Sequence, residues 1–439
     1  MTERMAAPTT AAYHRRLHRN VLVYIAILLT LLGAMAWAER VGLSRNLIGP
    51  IFLFSTVMIY ALIGISGRTT DEDEYYVAGR RIPAMYNGMA TAADWMSAAS
   101  FISLAGALYL QGFSGNGQQP GGLAYVMGWT GGFCLVGLLI APHLRAMKLY
   151  TLPDYFDQRY GGRWPRIIAA LASVLCSFTY VVAQIYGIGL IASRLTGVQF
   201  EIGILLGLGG VLLCSFLGGM RAITWTQVAQ YIMLLLAFMI PVSWLAYKQL
   251  GTPLAPLVYG QQLSRIEAIE KKLINDPAEI EVREEYARRA QMFQRRLEHV
   301  DRSMVELRQE LEEKIRLLKA QSADYASIAQ ARRELLAVPR DAATAKEQWT
   351  RAMHDNLDRA RPLGGMPMHA QAFAGNPDGN PAEVKLFEES RLNFLALVFC
   401  LMVGTAGLPH LLTRFYTLPS VAEARSSVAW SLFFIGLLY

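Results

Sequence analysis

Cysteine is scarce in this sequence, with only four among 439 residues. Cys134, Cys176, Cys214 and Cys400 all fall in apolar runs, and no pair has the spacing of metal ligands. Cysteines in such surroundings are usually small apolar packing residues. The sequence therefore predicts neither a disulfide framework nor a metal site built on cysteine.

The motifs of catalysis are missing as well. The sequence pairs no nucleophile with a base, gathers no cluster of metal ligands and offers no loop to cradle a phosphate. The glycines in "GLGG" and "GGM" are interpreted as helix-packing residues. We therefore expect no enzyme activity, no catalytic residues, no bound cofactor and no nucleic-acid partner.

Charge is absent from several runs of about twenty residues, although 17% of the whole chain is charged. The charge is concentrated in one block, roughly residues 260 to 390. A helix of about twenty apolar residues crosses the hydrocarbon core of a bilayer. The pattern predicts an all-α integral membrane protein with a polar insert, in which the net charge of +7 reflects basic loops on one side of the membrane.

The apolar runs predict the spanning helices. The first run follows the basic stretch "YHRRLHRN" but lacks a small-residue cleavage site, so it is predicted to be a spanning helix and not a signal peptide. The last run reaches Tyr439 without a polar flank, so we expect a chain truncated at its C-terminus. The predicted spans are 21–38, 47–66, 84–110, 121–142, 166–192, 200–219, 226–247, 392–413 and 428–439.

Basic residues in short loops orient the predicted helices. Arg15, Arg16 and Arg19 place the N-terminus in the cytoplasm, and alternation then places the charged insert outside, in the periplasm of a bacterium with the protein in its inner membrane. By the same count Arg414 marks a cytoplasmic helix end and serves as an anchor. The predicted parts are a cytoplasmic tail at 1–20, seven helices at 21–250, the insert at 251–390 and two helices at 391–439.

The insert has a helical pattern of its own. In "VELRQELEEKIRLLKA", Leu307, Leu311, Ile315 and Leu318 recur at helical spacing with charged residues between them. Such a stripe predicts an amphipathic helix that pairs with another as in a coiled coil, here a helical hairpin followed by the flexible stretch "RPLGGMPMHAQAFAGNPDGNP". The insert is then either a solvated elaboration or a docking surface for a periplasmic protein partner.

The stretch "ATAADWMSAASFISLAG" places Asp94 inside an apolar run. An ionisable group in a spanning segment costs several kcal/mol unless it is paired or faces a hydrated cavity. Asp94 is therefore either a functional group or a structural one bonded to a neighbouring helix. The small residues around it pack closely and let the backbone open, which exposes carbonyl oxygens that can ligate a hard cation such as sodium.

A second apolar run is interrupted. In "LMVGTAGLPHLLTRF", Gly404, Gly407 and Pro409 break the helical pattern, because proline lacks the backbone donor and clashes with the preceding turn. Free helix ends near the bilayer midplane hold ions and charged substrates in transporters. The two irregular runs together point to a binding site.

Several characteristic stretches lie between Ile48 and Tyr439, outside the insert. They are "DEDEYYVAGRRIP", "ADWMSAASFIS", "YTLPDYFDQRYGG", "QIYGIGLIASRLTG" and "LGGMRAITWTQVAQ". Together they resemble one family, the sodium:solute symporters. The resemblance implies the inverted-repeat helical bundle of the sodium-coupled amino-acid transporters, here incomplete at the C-terminus. The stretch "GTAGLPHLLTRFYTLPSVAEARSSV" most resembles the members of the branch that moves acetate and related monocarboxylates with a cation.

The resemblance also implies roles for single residues. Sodium is held by the backbone carbonyls of Ala92 and Trp95 together with Asp94. Ala98 and Ala99 stand where sugar-carrying members have long polar side chains, which argues against a sugar. In the family, hydroxyls from the eighth helix of the core repeat complete the sodium site. We expect this chain to end at the seventh helix of that repeat, so the polypeptide as given is not expected to transport. The expected substrate residues are Ser97, Ser100, Gln184, Thr405, Gly407 and His410.

Two functions fit this sequence. The first is sodium-coupled symport of a small organic anion, such as acetate or pyruvate, with sodium as the coupling ion and no other cofactor. The second is a membrane sensor or assembly subunit that uses a transporter-like bundle and its periplasmic insert.

Overall fold

The computed structural model describes residues 10–97, 104–115, 120–339 and 341–438. These residues form α-helices and short turns, with no β-strand among them. The prediction of an all-α membrane protein is confirmed. The chain divides into two compact units, the first made of Met1–Leu110, Gly122–Val258 and Asn393–Tyr439, and the second of Gln111–Gly121 and Tyr259–Leu392.

The first unit holds the apolar helices, although the helix Pro381–Ala406 begins in the second unit and the helix Ala105–Gln111 ends there. Among the described residues, six helices are long and apolar enough to cross a membrane, and a seventh candidate is the pair Pro381–Ala406 and Pro409–Thr417, which is bent by 47°. The helices are α1 Thr10–Arg40, α2 Arg45–Ser66, α3 Glu72–Val77, α4 Ala84–Trp95, α5 Ala105–Gln111, α6 Gly122–Leu135, α7 Ala141–Ala146, α8 Leu152–Tyr160, α9 Arg163–Thr196, α10 Phe200–Leu250, α16 Pro381–Ala406, α17 Pro409–Leu412 and α18 Val421–Leu438.

Two predicted spans, 200–219 and 226–247, fall within the single element α10. Gly219 breaks this element, with φ 50° and ψ −144°, a conformation that residues with a Cβ rarely adopt. A Cβ at Gly219 would lie 2.4 Å from the carbonyl oxygen of Tyr75. Glycine is required here because α10 passes directly against α3.

Helix α4 packs on α18 through a glycine. A Cβ built on Gly88 lies 2.6 Å from the Cβ of Trp430 and 3.1 Å from the backbone nitrogen of Ser431. Beside this contact the buried Asn87 amide donates to the Ser427 hydroxyl at 2.8 Å and accepts from the Thr417 hydroxyl at 3.2 Å. These bonds fix α4 along its axis at Asn87, seven residues before Asp94, against α18 and the turn that contains Thr417.

Gly88→Ala is expected to destabilise the protein by about 1–3 kcal/mol, the usual cost of overpacking. The steric clash outweighs the gain of roughly 1 kcal/mol in helix propensity. The matched control is Gly436→Ala on α18, where no described atom lies within 4 Å of the added Cβ. The melting temperature in detergent checks the difference, and equal stability of the two variants would contradict the close contact of α4 with α18.

Where the sequence predicted a hairpin, the described residues of the second unit form five helices besides the start of α16. They are α11 Ala255–Ile274, most of which lies in this unit, α12 Pro277–Glu298, α13 Val300–Ala320, α14 Tyr325–Leu336 and α15 Ala342–Ala360. Helix α12 packs along α15, and α13 along α14. Their core contains Met304, Ala345 and Trp349, with Leu307 of the predicted stripe packed against it.

Aspartates cap three of these helices, α12 through Asp276, α14 through Asp324 and α15 through Asp341. Asp341 accepts from the Thr344 backbone at the start of α15, and this bond lowers the pKa of the Asp341 carboxyl. A hydrogen bond from the Ser327 hydroxyl has the same effect on the pKa of Asp324 at the start of α14. A folded pKa below the unfolded value stabilises the helices near neutral pH, and this contribution is lost as the pH falls through the folded pKa.

Candidate ion and substrate site

Helix α4 ends beside Asp94, where the sequence predicts that the backbone leaves the helical conformation. Its last residue is Trp95, and Met96 has ψ 68°, outside the helical range. The Met96 backbone N–H still donates to Ala92 at 3.0 Å, and the Ser97 N–H donates to Trp95 at 2.8 Å. Residues 98–103, among them Ser100, lie outside the described residues. The described helix therefore ends one residue after Asp94, as the small-residue pattern indicated.

The second predicted interruption is also confirmed. Helix α16 ends at Ala406, and α17 begins at Pro409 after a bend of 47°. Pro409 takes the first position of α17, where its missing N–H costs no hydrogen bond. Residues 413–417 continue as a 3₁₀ turn that carries Arg414.

Asp94 and Arg414 form an ion pair in which the arginine is buried and the aspartate is partly buried. The Arg414 Nε donates to Asp94 Oδ2 at 2.6 Å, and the two side chains are 3% and 13% exposed. The prediction that Arg414 is an interfacial anchor is wrong, because the chain bends at Gly407 and Pro409 and the side chain points into the bundle. An acid and a base in two separate apolar runs were the sequence signal for this pair, since each needs a partner.

Two side chains of α10 complete the network. The amide of Gln227 donates to Asp94 Oδ1, and its oxygen accepts from Arg414 Nη2. The hydroxyl of the fully buried Thr224 accepts from Arg414 Nη1 at 3.0 Å. Thr224 and Gln227 are three residues apart and therefore share one face of α10. Sequence reasoning missed both residues, although they lie in the quoted stretch "LGGMRAITWTQVAQ".

A tyrosine of α9 joins the two irregular segments. The Tyr180 hydroxyl donates to the backbone carbonyl of Asp94 at 3.1 Å, and the Tyr180 ring stacks on His410 with centroids 4.5 Å apart. His410 is thereby placed beside the ion pair. Gln184 lies one turn after Tyr180 in α9 and is half-buried.

The other predicted residues are spread around this centre. Ala92 is fully buried, and the Trp95 ring packs edge-on against Trp129 at 5.2 Å. Ser97 is half-buried just after the end of α4. Thr405 is buried against Gly132 of α6. Gly407 lines an apolar cavity of about 460 Å³ between α8, α9 and α17.

The donor set suits a hard monovalent cation. In the described part of the chain no group of three or more His, Cys, Asp or Glu side chains is placed to hold a metal. The predicted sodium ligands, namely the Asp94 carboxylate and the carbonyls of Ala92 and Trp95, are each bonded to a protein donor in this structure. A cation therefore binds here only by competing with those donors.

The chain is similar to one family model, one curated relative and one solved structure. Residues 75–278 match the family model described as the sodium:solute symporter family. The chain is 48% identical over 434 residues to an uncharacterized symporter of Cupriavidus necator, covering 97% of this chain and 61% of that relative. A solved Na⁺-coupled sialic acid symporter, in its substrate-bound outward-open state, gives a TM-score of 0.42 at 15% identity, over 90% of this chain and 72% of that chain.

Proposed function

We propose, on the premise that this chain belongs to the sodium:solute symporter family, that the protein uses sodium to transport a small organic anion. The anion is a monocarboxylate such as acetate or pyruvate. The observation that carries the proposal is the charged pair of Asp94, at the end of α4, and Arg414, in the 3₁₀ turn that follows α17. A buried pair at opened helix ends offers one charged group to a cation and one to an anion.

In this proposal sodium binds between the Asp94 carboxylate and the carbonyls of Ala92 and Trp95. The substrate lies against the residues around the two helix breaks, namely Ser97, Ser100, Gln184, Thr405, Gly407 and His410. Sodium binding raises the population of the state that accepts substrate, and both leave on the other side. The membrane potential adds about 2.3 kcal/mol per charge per 100 mV.

We also propose a multi-pass protein of the bacterial inner membrane, with a cytoplasmic N-terminus and a periplasmic insert. Within the second unit, the Phe113 backbone N–H donates to the carbonyl of His369 at 3.0 Å. The loop of Phe113 and the insert therefore lie on the same side of the membrane. Few basic residues occur in that loop, which supports an outside position for both.

The relatives bear on the choice between the two functions. The family match and the symporter relative support transport, and not the role of a membrane sensor or an assembly subunit with a periplasmic partner. The chain spans 61% of the length of that relative, so each assay is designed for the protein as isolated from its native membrane.

The direct test is uptake of labelled acetate and pyruvate into proteoliposomes. We expect uptake driven by an inward sodium gradient, and a loss of uptake when choline replaces sodium. Uptake that is the same in sodium and choline would exclude sodium coupling. Uptake of a set of uncharged solutes is measured in parallel with and without sodium. Sodium-driven uptake of one of these solutes would support sodium coupling but contradict an anionic substrate.

Asp94→Asn is expected to raise the sodium concentration for half-maximal uptake about tenfold or more, since a bond to a charged group is worth roughly 1.5–3 kcal/mol. The measurement is uptake as a function of sodium concentration. Asp157→Asn is the control, because Asp157 forms only an exposed ion pair with Arg166 at 3.6 Å. An unchanged sodium dependence in Asp94→Asn would return Asp94 to a structural role.

A further inference from the structure

All three kinds of guanidinium nitrogen of Arg414 donate to protein oxygens. Nε bonds Asp94, Nη1 bonds Thr224 and Nη2 bonds Gln227. The side chain is 3% exposed, so its charge is balanced by Asp94 and not by water. The ion pair is therefore electrically neutral, and the side chains of Asp94, Arg414, Thr224 and Gln227 are hydrogen-bonded to one another.

A sodium ion at Asp94 changes that balance. The ion adds one positive charge next to a guanidinium, in surroundings where an uncompensated charge carries a large penalty. It also competes with Arg414 for the same carboxylate oxygens. Binding of sodium alone is therefore opposed by Arg414, and a second, negative ligand restores neutrality.

The guanidinium is suited to be the partner of that second ligand. Its planar fork matches a carboxylate with two parallel hydrogen bonds, which an ammonium does not offer. Gln227 contacts both Asp94 and Arg414, so its amide can keep the guanidinium in place when the carboxylate turns to sodium. His410 and Tyr180, stacked beside the pair, form the adjacent wall.

We propose that Arg414 binds the carboxylate of the transported anion, and that it becomes free to do so only when sodium replaces it at Asp94. The inference rests on the proposed function and adds to it a specificity-determining residue. Sodium and the anion then bind together because each compensates the charge of the other. Thr224 and Gln227 are positioning residues, which hold the guanidinium without touching the cation.

The experiment measures binding of each ligand to the purified full protein, with labelled sodium and labelled acetate. The native protein is expected to bind acetate only in the presence of sodium and to bind sodium more tightly with acetate, by the same factor. Unlabelled acetamide, which has the shape of acetate without its charge, is expected not to compete.

Arg414→Gln is expected to weaken acetate binding tenfold or more and to abolish the discrimination against acetamide. Its sodium affinity is expected to stay the same or to rise, because the competing cation is gone. Arg414→Lys keeps the charge and loses the fork, so it is expected to show intermediate acetate affinity with sodium dependence intact. This second variant keeps the inference testable if Arg414→Gln does not fold.

Arg145→Gln is the matched control. Arg145 is also a buried arginine, but it donates to the backbone carbonyls of Leu418 and Pro419 and not to Asp94. Its replacement is expected to leave the coupling between sodium and acetate unchanged.

Two results would overturn the inference. One is a parallel loss of sodium and acetate binding in Arg414→Gln, which indicates a structural role; the other is unchanged acetate affinity in that variant. If the native protein takes up an uncharged solute with sodium, the inference fails while sodium symport stands. If the native protein shows no sodium dependence at all, the proposed function itself fails.

Discussion

Asp94→Asn and Arg414→Gln are each expected to destabilise the protein by about 3–5 kcal/mol, and the double variant by clearly less than either one. Each single change leaves one buried charge without its partner, in a network that is 3% and 13% exposed at its two charged members. The double change leaves two neutral amides that can bond each other and Gln227. The measurement is the melting temperature in detergent, combined in a double-mutant cycle.

The cycle has an internal control on the surface. Arg166 and Asp157 also form an ion pair, at 3.6 Å, with side chains 57% and 41% exposed. Asp157→Asn is expected to change the stability by about 0–1 kcal/mol, the usual range for exposed pairs. If the destabilisations of the two single variants simply add in the double variant, the interaction between Asp94 and Arg414 contributes no coupling energy to the stability of the protein.

Added sodium is expected to change the melting temperatures of the two single variants differently. A ligand that binds only the folded protein raises its stability by mass action. In Arg414→Gln the Asp94 carboxylate is left without a cation, so added sodium is expected to raise the melting temperature. In Asp94→Asn the carboxylate is gone, and sodium is expected to have little effect. If sodium raises the melting temperature of both variants equally, sodium does not bind at Asp94.

The sequence was sufficient to find Asp94 but not its partner. A carboxylate in an apolar run is costly wherever the chain folds, so its position alone marks it. Arg414 was assigned by its place in the order of loops, and that count takes no account of a helix that bends inward. The approach of the two side chains depends on contacts across 320 residues of sequence.

Helix ends could likewise be predicted from local sequence, whereas the pairing of helices could not. Pro409 stops a helix for a local reason, the missing N–H, and the interruption of α16 and α17 was predicted correctly. The stripe through Leu307 and Ile315 correctly indicated a helix. The partner of each insert helix depends on long-range packing, such as that of α12 on α15, and a local stripe does not specify it.

Trp349→Ala is expected to destabilise the insert by about 3–5 kcal/mol, the usual cost of removing a large buried aromatic side chain. Trp349 is 5% exposed and packs with Met304 and Ala345. The guanidinium of Arg296 lies 5.9 Å from the Trp349 ring and 5.6 Å from that of Phe293. Loss of the indole therefore removes both the core of α12 and α15 and a cation–π contact.

Amide hydrogen exchange on the full protein measures this effect where it arises. Exchange in α12 and α15 is expected to accelerate by about two to three orders of magnitude, since each 1.4 kcal/mol corresponds to roughly tenfold. Leu336→Ala on α14 is the control, because Leu336 is 85% exposed and its truncation leaves no cavity. Equal exchange in the two variants would mean that Trp349 is not the centre of the insert. Acceleration confined to the insert, with acetate uptake retained, would favour a solvated elaboration over a part of the transport machinery.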